Sequence, residues 1–147
     1  MRLTTHTDYA LRVLIYAAVE PESLCTIERI SGAYGISRNH LMKVVQRLSD
    51  YGFLETVRGR GGGLKLAMPA SKICVGDVVR KMEDDLAQAE CFRQDQNSCV
   101  ITSACGLKHA LSKALDAYLD TLDQFTLADV TRKRKALSTL LDFKTVA

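Results

Sequence analysis

The sequence predicts a mainly α-helical chain with one small β-hairpin wing. Three observations carry this. Apolar residues recur at three- and four-residue steps between Thr5 and Pro21, Thr26 and Ala33, Ser37 and Gly52, and Gly106 and Phe125. Two short β-prone runs, Phe53–Arg58 and Leu64–Ala67, flank the loop Gly59-Arg60-Gly61-Gly62-Gly63. The 147 residues, 47% hydrophobic and 25% charged, fit one ordinary globular unit with an appended helix and exclude a disordered chain. No apolar run reaches the ~20 residues that span a bilayer, so no membrane partner is expected. Residues 1–8 lack a signal peptide's apolar core, and a cytoplasmic location follows.

In chain order, Thr5 opens the first helix, with Asp8 three residues on as an approximate capping box. Leu11, Leu14, Ile15, Ala18 and Val19 supply its apolar face. Thr26 caps a second helix that turns Ile27, Ile30 and Ala33 inward, and Gly35 interrupts it. Ser37 caps a third helix, with Leu41, Val44, Val45 and Leu48 on one face and polar residues on the other. Helix, Gly-containing turn, polar-faced helix and basic hairpin is the order of a winged helix-turn-helix. Its second helix enters the DNA major groove by its N-terminal residues, here Ser37, Arg38, Asn39 and His40. Arg suits guanine, Asn suits adenine, and Ser and His suit base or phosphate. Lys43 and Arg47, one and two turns on, suit phosphate. Arg58 and Arg60, on a glycine-rich tip, suit a narrow minor groove.

Charge is divided accordingly. Residues 1–75 hold ten Lys/Arg against six Asp/Glu, whereas 76–147 hold ten against eleven. A basic first half beside a near-neutral second half fits a polyanion-binding part joined to a part with another task. A short helix over Val75–Met82 leads into a polar, cysteine-bearing segment. Leu107, Leu111, Leu115 (or Ala114), Tyr118, Leu122 and Phe125 then recur like a coiled-coil seam, which predicts a homodimer in preference to a core stripe within one chain. These features divide the chain into a winged helix-turn-helix at 1–82, a loop at 83–105, and a dimerisation helix with C-terminal segment at 106–147.

Of five cysteines, Cys25 and Cys74 stand apart in apolar surroundings. Cys91-x7-Cys99-x5-Cys105 is a cluster that a reducing compartment would keep as thiols. Zinc, a thiol–disulfide sensor and an iron–sulfur cluster all accommodate that spacing. No local catalytic signature accompanies the cysteines or the candidate bases His40 and His109, so the chain is not read as an enzyme.

Nearly the whole chain resembles the family of bacterial iron–sulfur repressors. The resemblance is carried by Met1–Thr4, Thr7-Asp8-Tyr9-Ala10-Leu11-Arg12, the turn Tyr34–Ser37, the wing Val57–Gly63, Pro69-Ala70-Ser71, Val75–Arg80 and the three cysteines. It implies a 4Fe-4S cluster on Cys91, Cys99 and Cys105 (2Fe-2S as the alternative), completed by an oxygen of Asp8 from the partner subunit. His6 is a possible substitute for Asp8. From sequence alone, Asp8 near a helix start is a dipole-stabilising residue. Ser37–Lys43, Ile101–Lys108 and Phe125–Asp129 are similar to the nitric-oxide-sensing branch. The spacing after Ala89-Glu90-Cys91-Phe92 is similar to an iron-responsive branch. The position three residues after the last cysteine, His in a third branch, is Lys108, with His109 next to it. The resemblance implies a repressor of an inverted-repeat, double-stranded DNA operator, with nitric oxide as signal and iron as the alternative; the cysteines themselves leave open a cluster-free repressor that senses thiol redox state.

Overall fold

Thr4, not Thr5, caps the first helix, α1 (Thr5–Val19), by accepting the Thr7 backbone N–H at 3.3 Å. A cap side chain reaches the third N–H of its helix, so a cap at Thr4 leaves Asp8 beyond the box. Asp8 pairs with Arg12 one turn on, at 2.9 Å. The computed structural model describes residues 2–141. Met1 and residues 142–147, the outer ends of the first and third expected regions, lie outside the described residues.

Helix α1 runs through the core. Ala10, Val13, Leu14, Tyr16, Ala17 and Val19 are buried, and α1 touches nearly every other layer of the fold. The cap of α2 (Ile27–Tyr34) is Thr26, as expected. Gly35 ends α2 at φ +66°, a left-handed conformation that costs glycine little, and donates its N–H to Ser31. Ser37 then caps α3 (Arg38–Asp50) by accepting the His40 N–H at 3.3 Å. The expected stripe Leu41, Val44, Val45 and Leu48 is buried.

The hairpin pairs β1 (Leu54–Val57) with β2 (Gly63–Leu66), from Leu54 opposite Leu66 to Val57 opposite Gly63. Strand β1 is one residue shorter at each end than expected and β2 begins and ends one residue earlier, with Gly59 and Gly61 at positive φ in the tip. Leu64 also exchanges both backbone hydrogen bonds with Cys25, each at 2.8 Å, so the α1–α2 connection lies along the wing as a third edge. That approach requires Gly63: a Cβ there would lie 2.4 Å from the Cys25 carbonyl oxygen.

Helix α4 (Val75–Met82) has the expected bounds. Helix α5 (Gly106–Asp123) packs along α4, and none of its residues is fully buried. Its end is stitched to the start of α4: Val75 donates to the Phe125 carbonyl at 2.9 Å, and Leu127 donates to Ile73 at 2.8 Å. Two short helices, α6 (Leu127–Val130) and α7 (Arg134–Leu140), return to α1, and Leu127 and Leu141 join the main core. Among the described residues, no helix is long and apolar enough to cross a membrane.

Leu41 and Met42 are neighbours on α3 with opposite surroundings, fully buried and 56% exposed. Leu41→Ala should lower unfolding free energy by ~2–5 kcal/mol. Met42→Ala should stay within ~0.5 kcal/mol. Urea midpoints of the two variants check the orientation of α3.

Candidate DNA interface and cysteine-loop site

Because α3 buries one face, Arg38, Asn39, His40 and Lys43 are left exposed beyond the cap Ser37. Arg38 pairs with Glu28 of α2 across the turn, so the guanidinium must exchange partners before it can reach a base. The His40 ring lies 6.2 Å from that of Tyr9. Arg58 and Arg60 are exposed at the wing.

Arg47 departs from its expected phosphate-facing position. Partners distant in sequence, on and just beyond α4, draw its side chain away from the exposed row. Its Nη2 donates to the Lys81 carbonyl at 3.2 Å and to Asp84 at 2.9 Å. His6 lies on the same side, its Nε2 buried without a hydrogen-bond partner. Burial, helped by the Arg47 guanidinium, holds the His6 pKa below its ordinary value and favours the neutral ring.

The cysteine segment between α4 and α5 has three single 3-10 turns, at Glu90–Phe92, Gln94–Gln96 and Thr102–Ala104. Polar side chains close it on itself. Arg93 Nε donates to Asp85 at 2.6 Å, and Ser98 donates to Glu90 at 3.3 Å. The latter bond links a neighbour of Cys91 to a neighbour of Cys99. The Asn97 side chain accepts the Cys99 N–H at 3.1 Å, and Thr102 donates to the Cys99 carbonyl at 2.8 Å.

Cys91 and Cys105 line one open cavity of about 470 Å³, beside Phe92, Lys108 and His109. Cys99 and Asp8 are not among its lining residues. All three loop thiols are free and half-buried. Cys105 is the cap residue of α5, where unpaired backbone N–H groups favour an anionic neighbour. Soft, accessible thiols on an irregular loop fit an iron–sulfur group as a donor set. Cys25 does not: it is buried, and burial pushes its thiol pKa up to about 11.

A model of the Rrf2 family, described as an iron-dependent transcriptional regulator, matches residues 3–133. This chain belongs to the Rrf2 family. It is 51% identical over 145 residues to the HTH-type transcriptional regulator NsrR of Bacillus subtilis (strain 168), covering 98% of this chain and 99% of that one. It is 45% identical over 142 residues to the NsrR of Geobacillus kaustophilus (strain HTA426), covering 96% and 97%. Among solved structures, CymR, the global cysteine regulator of B. subtilis, superposes with a TM-score of 0.75 at 24% identity, over 90% of this chain and 98% of that one. T. potens IscR gives 0.73 at 24% identity, over 90% and 88%. These two likenesses show the fold. As an Rrf2 protein with such relatives, the chain is a transcriptional regulator and not an enzyme.

One group in this Rrf2 regulator escapes sequence analysis. Ligand atoms of Cys74, Asp77 and Asp123 lie within 4.8 Å of one another. The Arg80 guanidinium already occupies the cation's place: it bonds both Asp123 oxygens, at 2.6 and 2.7 Å, and lies 3.8 Å from Asp77. Gly76 makes room for the carboxylate, since a Cβ there would meet Asp123 Oδ1 at 1.8 Å. This is an ion pair that fixes the end of α5 on α4. No local pattern announces it, because Asp123 lies 43 residues beyond Arg80.

Arg80 holds the Asp123 carboxyl below the usual carboxylate range. The pair therefore contributes above the ordinary carboxylate pKa and is lost as pH falls through the depressed value. An NMR titration of the Asp123 carboxyl should show its midpoint rising toward the ordinary range in Arg80→Ala. An unmoved midpoint would refute the ion-pair assignment.

Proposed function

We propose that the chain is a dimeric repressor of an inverted-repeat DNA operator, switched by nitric oxide through a 4Fe-4S cluster. Cys91, Cys99 and Cys105 of one subunit and Asp8 of the partner subunit are the ligands in this reading. The observation that carries it is the cavity shared by Cys91 and Cys105 at the α5 cap, with Cys99 bound into the same loop. Relatives named NsrR and a family described as iron-dependent support it. When bound, the cluster supplies iron that reacts with nitric oxide and whose loss frees its ligands.

The remaining steps belong to the chain's own residues. The open side of α5, where Leu107 is 65% exposed, meets the same side of a second copy. Two-fold pairing sets the two α3 helices about one DNA turn apart, ~34–36 Å. Asp8 must leave Arg12 to ligate across the dimer. Tyr9 and Tyr34, whose rings lie 5.9 and 5.8 Å from the guanidinium, retain Arg12 when it does. Ligation then joins one subunit's α1 to the other's cysteine loop, and release removes that constraint on α3 spacing.

At the DNA, Ser37, Arg38, Asn39 and His40 face base edges or phosphate, Lys43 faces phosphate, and Arg58 and Arg60 enter the minor groove. Once freed from Glu28, Arg38 provides a fork that matches guanine. Arg38→Ala should reduce discrimination between an operator duplex, selected by the holo-protein, and random DNA by ~1–3 kcal/mol. Lys43→Ala should weaken both similarly and flatten the salt dependence. A change confined to the salt slope in Arg38→Ala makes Arg38 a phosphate contact instead.

The deciding experiment is nitric oxide titration of anaerobic protein, followed by both iron–sulfur absorbance and duplex binding. The two signals should fall together. Asp8→Ala should bind a more easily lost cluster. Cys99→Ala should hold no stable iron and sulfide, whereas Cys25→Ala and Cys74→Ala should hold full amounts. Full iron and sulfide in Cys99→Ala would sink the ligand assignment. DNA release on iron chelation without a response to nitric oxide would make iron the signal, and a colourless protein that still represses would make it thiol redox state.

A further inference from the structure

The segment leaving α4 opens with three consecutive acids, Glu83, Asp84 and Asp85, and each is bonded to a different part of the molecule. Glu83 Oε1 accepts from the Thr4 backbone N–H at 2.8 Å and from its hydroxyl at 3.2 Å, at the cap of α1. Asp84 accepts from Arg47 Nη2 at 2.9 Å, near the end of α3. Asp85 accepts from Arg93 Nε at 2.6 Å and from the Ala87 N–H at 2.7 Å, within the cysteine loop.

We infer that the Glu83-Asp84-Asp85 junction couples the cysteine loop to the DNA-facing helix of the same chain, with Arg47 as its positioning residue. The inference rests on the proposed ligand role of Cys91. Arg93 lies two residues beyond Cys91, so a change in the loop reaches Asp85 directly. Adjacent Cα atoms stay about 3.8 Å apart, so Asp85 cannot move far without Asp84. Glu83, held on the α1 cap, is the fixed side of the junction. Arg47 is the movable side, bonded to Lys81 and Asp84 and lying 5.8 Å from the Tyr51 ring centroid. A displacement at this end of α3 appears at Arg38 and Asn39 as a tilt, because the helix moves as a rod.

The pair is not deeply buried: Arg47 is 28% and Asp84 83% exposed. Such a pair transmits a modest effect, about two- to fivefold in affinity. The route lies within one subunit and is distinct from the Asp8 tie between subunits.

The test compares loaded full-length protein with the same protein stripped by iron chelation. Each form is titrated at fixed salt with an operator duplex selected by the loaded protein, and the loaded-to-stripped affinity ratio measures coupling. Asp84→Asn should keep wild-type iron and sulfide while the ratio falls about two- to fivefold. Asp85→Asn, which leaves α3 and Arg47 untouched, should do the same. The reversed pair R47D/D84R should restore the ratio in part, since a carboxylate at position 47 cannot donate to the Lys81 carbonyl. In wild type, amide exchange in the last turn of α3 should differ between loaded and stripped protein, and Asp84→Asn should abolish that difference. An unchanged ratio in loaded Asp84→Asn overturns the junction alone. A wild-type protein that never holds iron and sulfide overturns the cluster reading, and the junction with it.

Discussion

Burial of the α1 face from Ala10 to Val19 is the constraint on which the other placements depend. One helix serves as the packing surface for α3, α4, β2, α6 and α7. Each of those elements therefore has a fixed orientation toward α1, and each presents its opposite face outward. The exposed row on α3 exists because Leu41, Val44, Val45 and Leu48 are committed to the interior. The wing holds its angle because Leu64 is buried while its backbone bonds Cys25 immediately before α2. Functional polarity is here a by-product of apolar commitment.

The outer end of α1 has a different role. Its first turn carries Thr4, His6 and Asp8, which face three different environments. Thr4 bonds Glu83, His6 is half-buried with its Nε2 turned inward near Arg47, and Asp8 pairs with Arg12. His6 points away from both the cap Thr4 and Asp8, which are four residues apart and fall near one face, so a single turn serves separate surroundings. The packed half of α1 makes these positions dependable, since a rigid helix holds its terminal groups more closely than a loop does.

Much of this organisation is legible in the sequence, for local reasons. Thr26, Ser37 and Gly35 act within one turn of themselves, and the bounds of α4 follow from apolar period alone. The cap of α1 slips by one residue because Thr4 and Thr5 are chemically equivalent and only packing chooses between them. Helix α6 has a capping box, Thr126 with Asp129, but at four residues it is too short for periodicity to reveal. The Arg80–Asp123 pair, the Cys25–Leu64 ladder and the reorientation of Arg47 are long-range choices that no window of sequence contains. The cysteine loop is an intermediate case. Its composition marks a site, but the cavity shared by Cys91 and Cys105 depends on where α5 begins.

Pairing through α5, as proposed, would link the protein to its own abundance. No residue of that helix is fully buried: Leu111, Leu115, Tyr118 and Leu122 are half-buried along one side, and Leu107 is exposed. Under the proposed pairing, the part of that side still exposed is covered when two chains meet, so the stability gained follows mass action. Dilution would then weaken the fold and the operator complex together, and occupancy of a two-half-site operator would rise roughly as the square of chain concentration while monomer predominates. A regulator paired this way would respond to its own synthesis rate as well as to its signal. The rate at which the cell makes it would set the threshold at which repression begins.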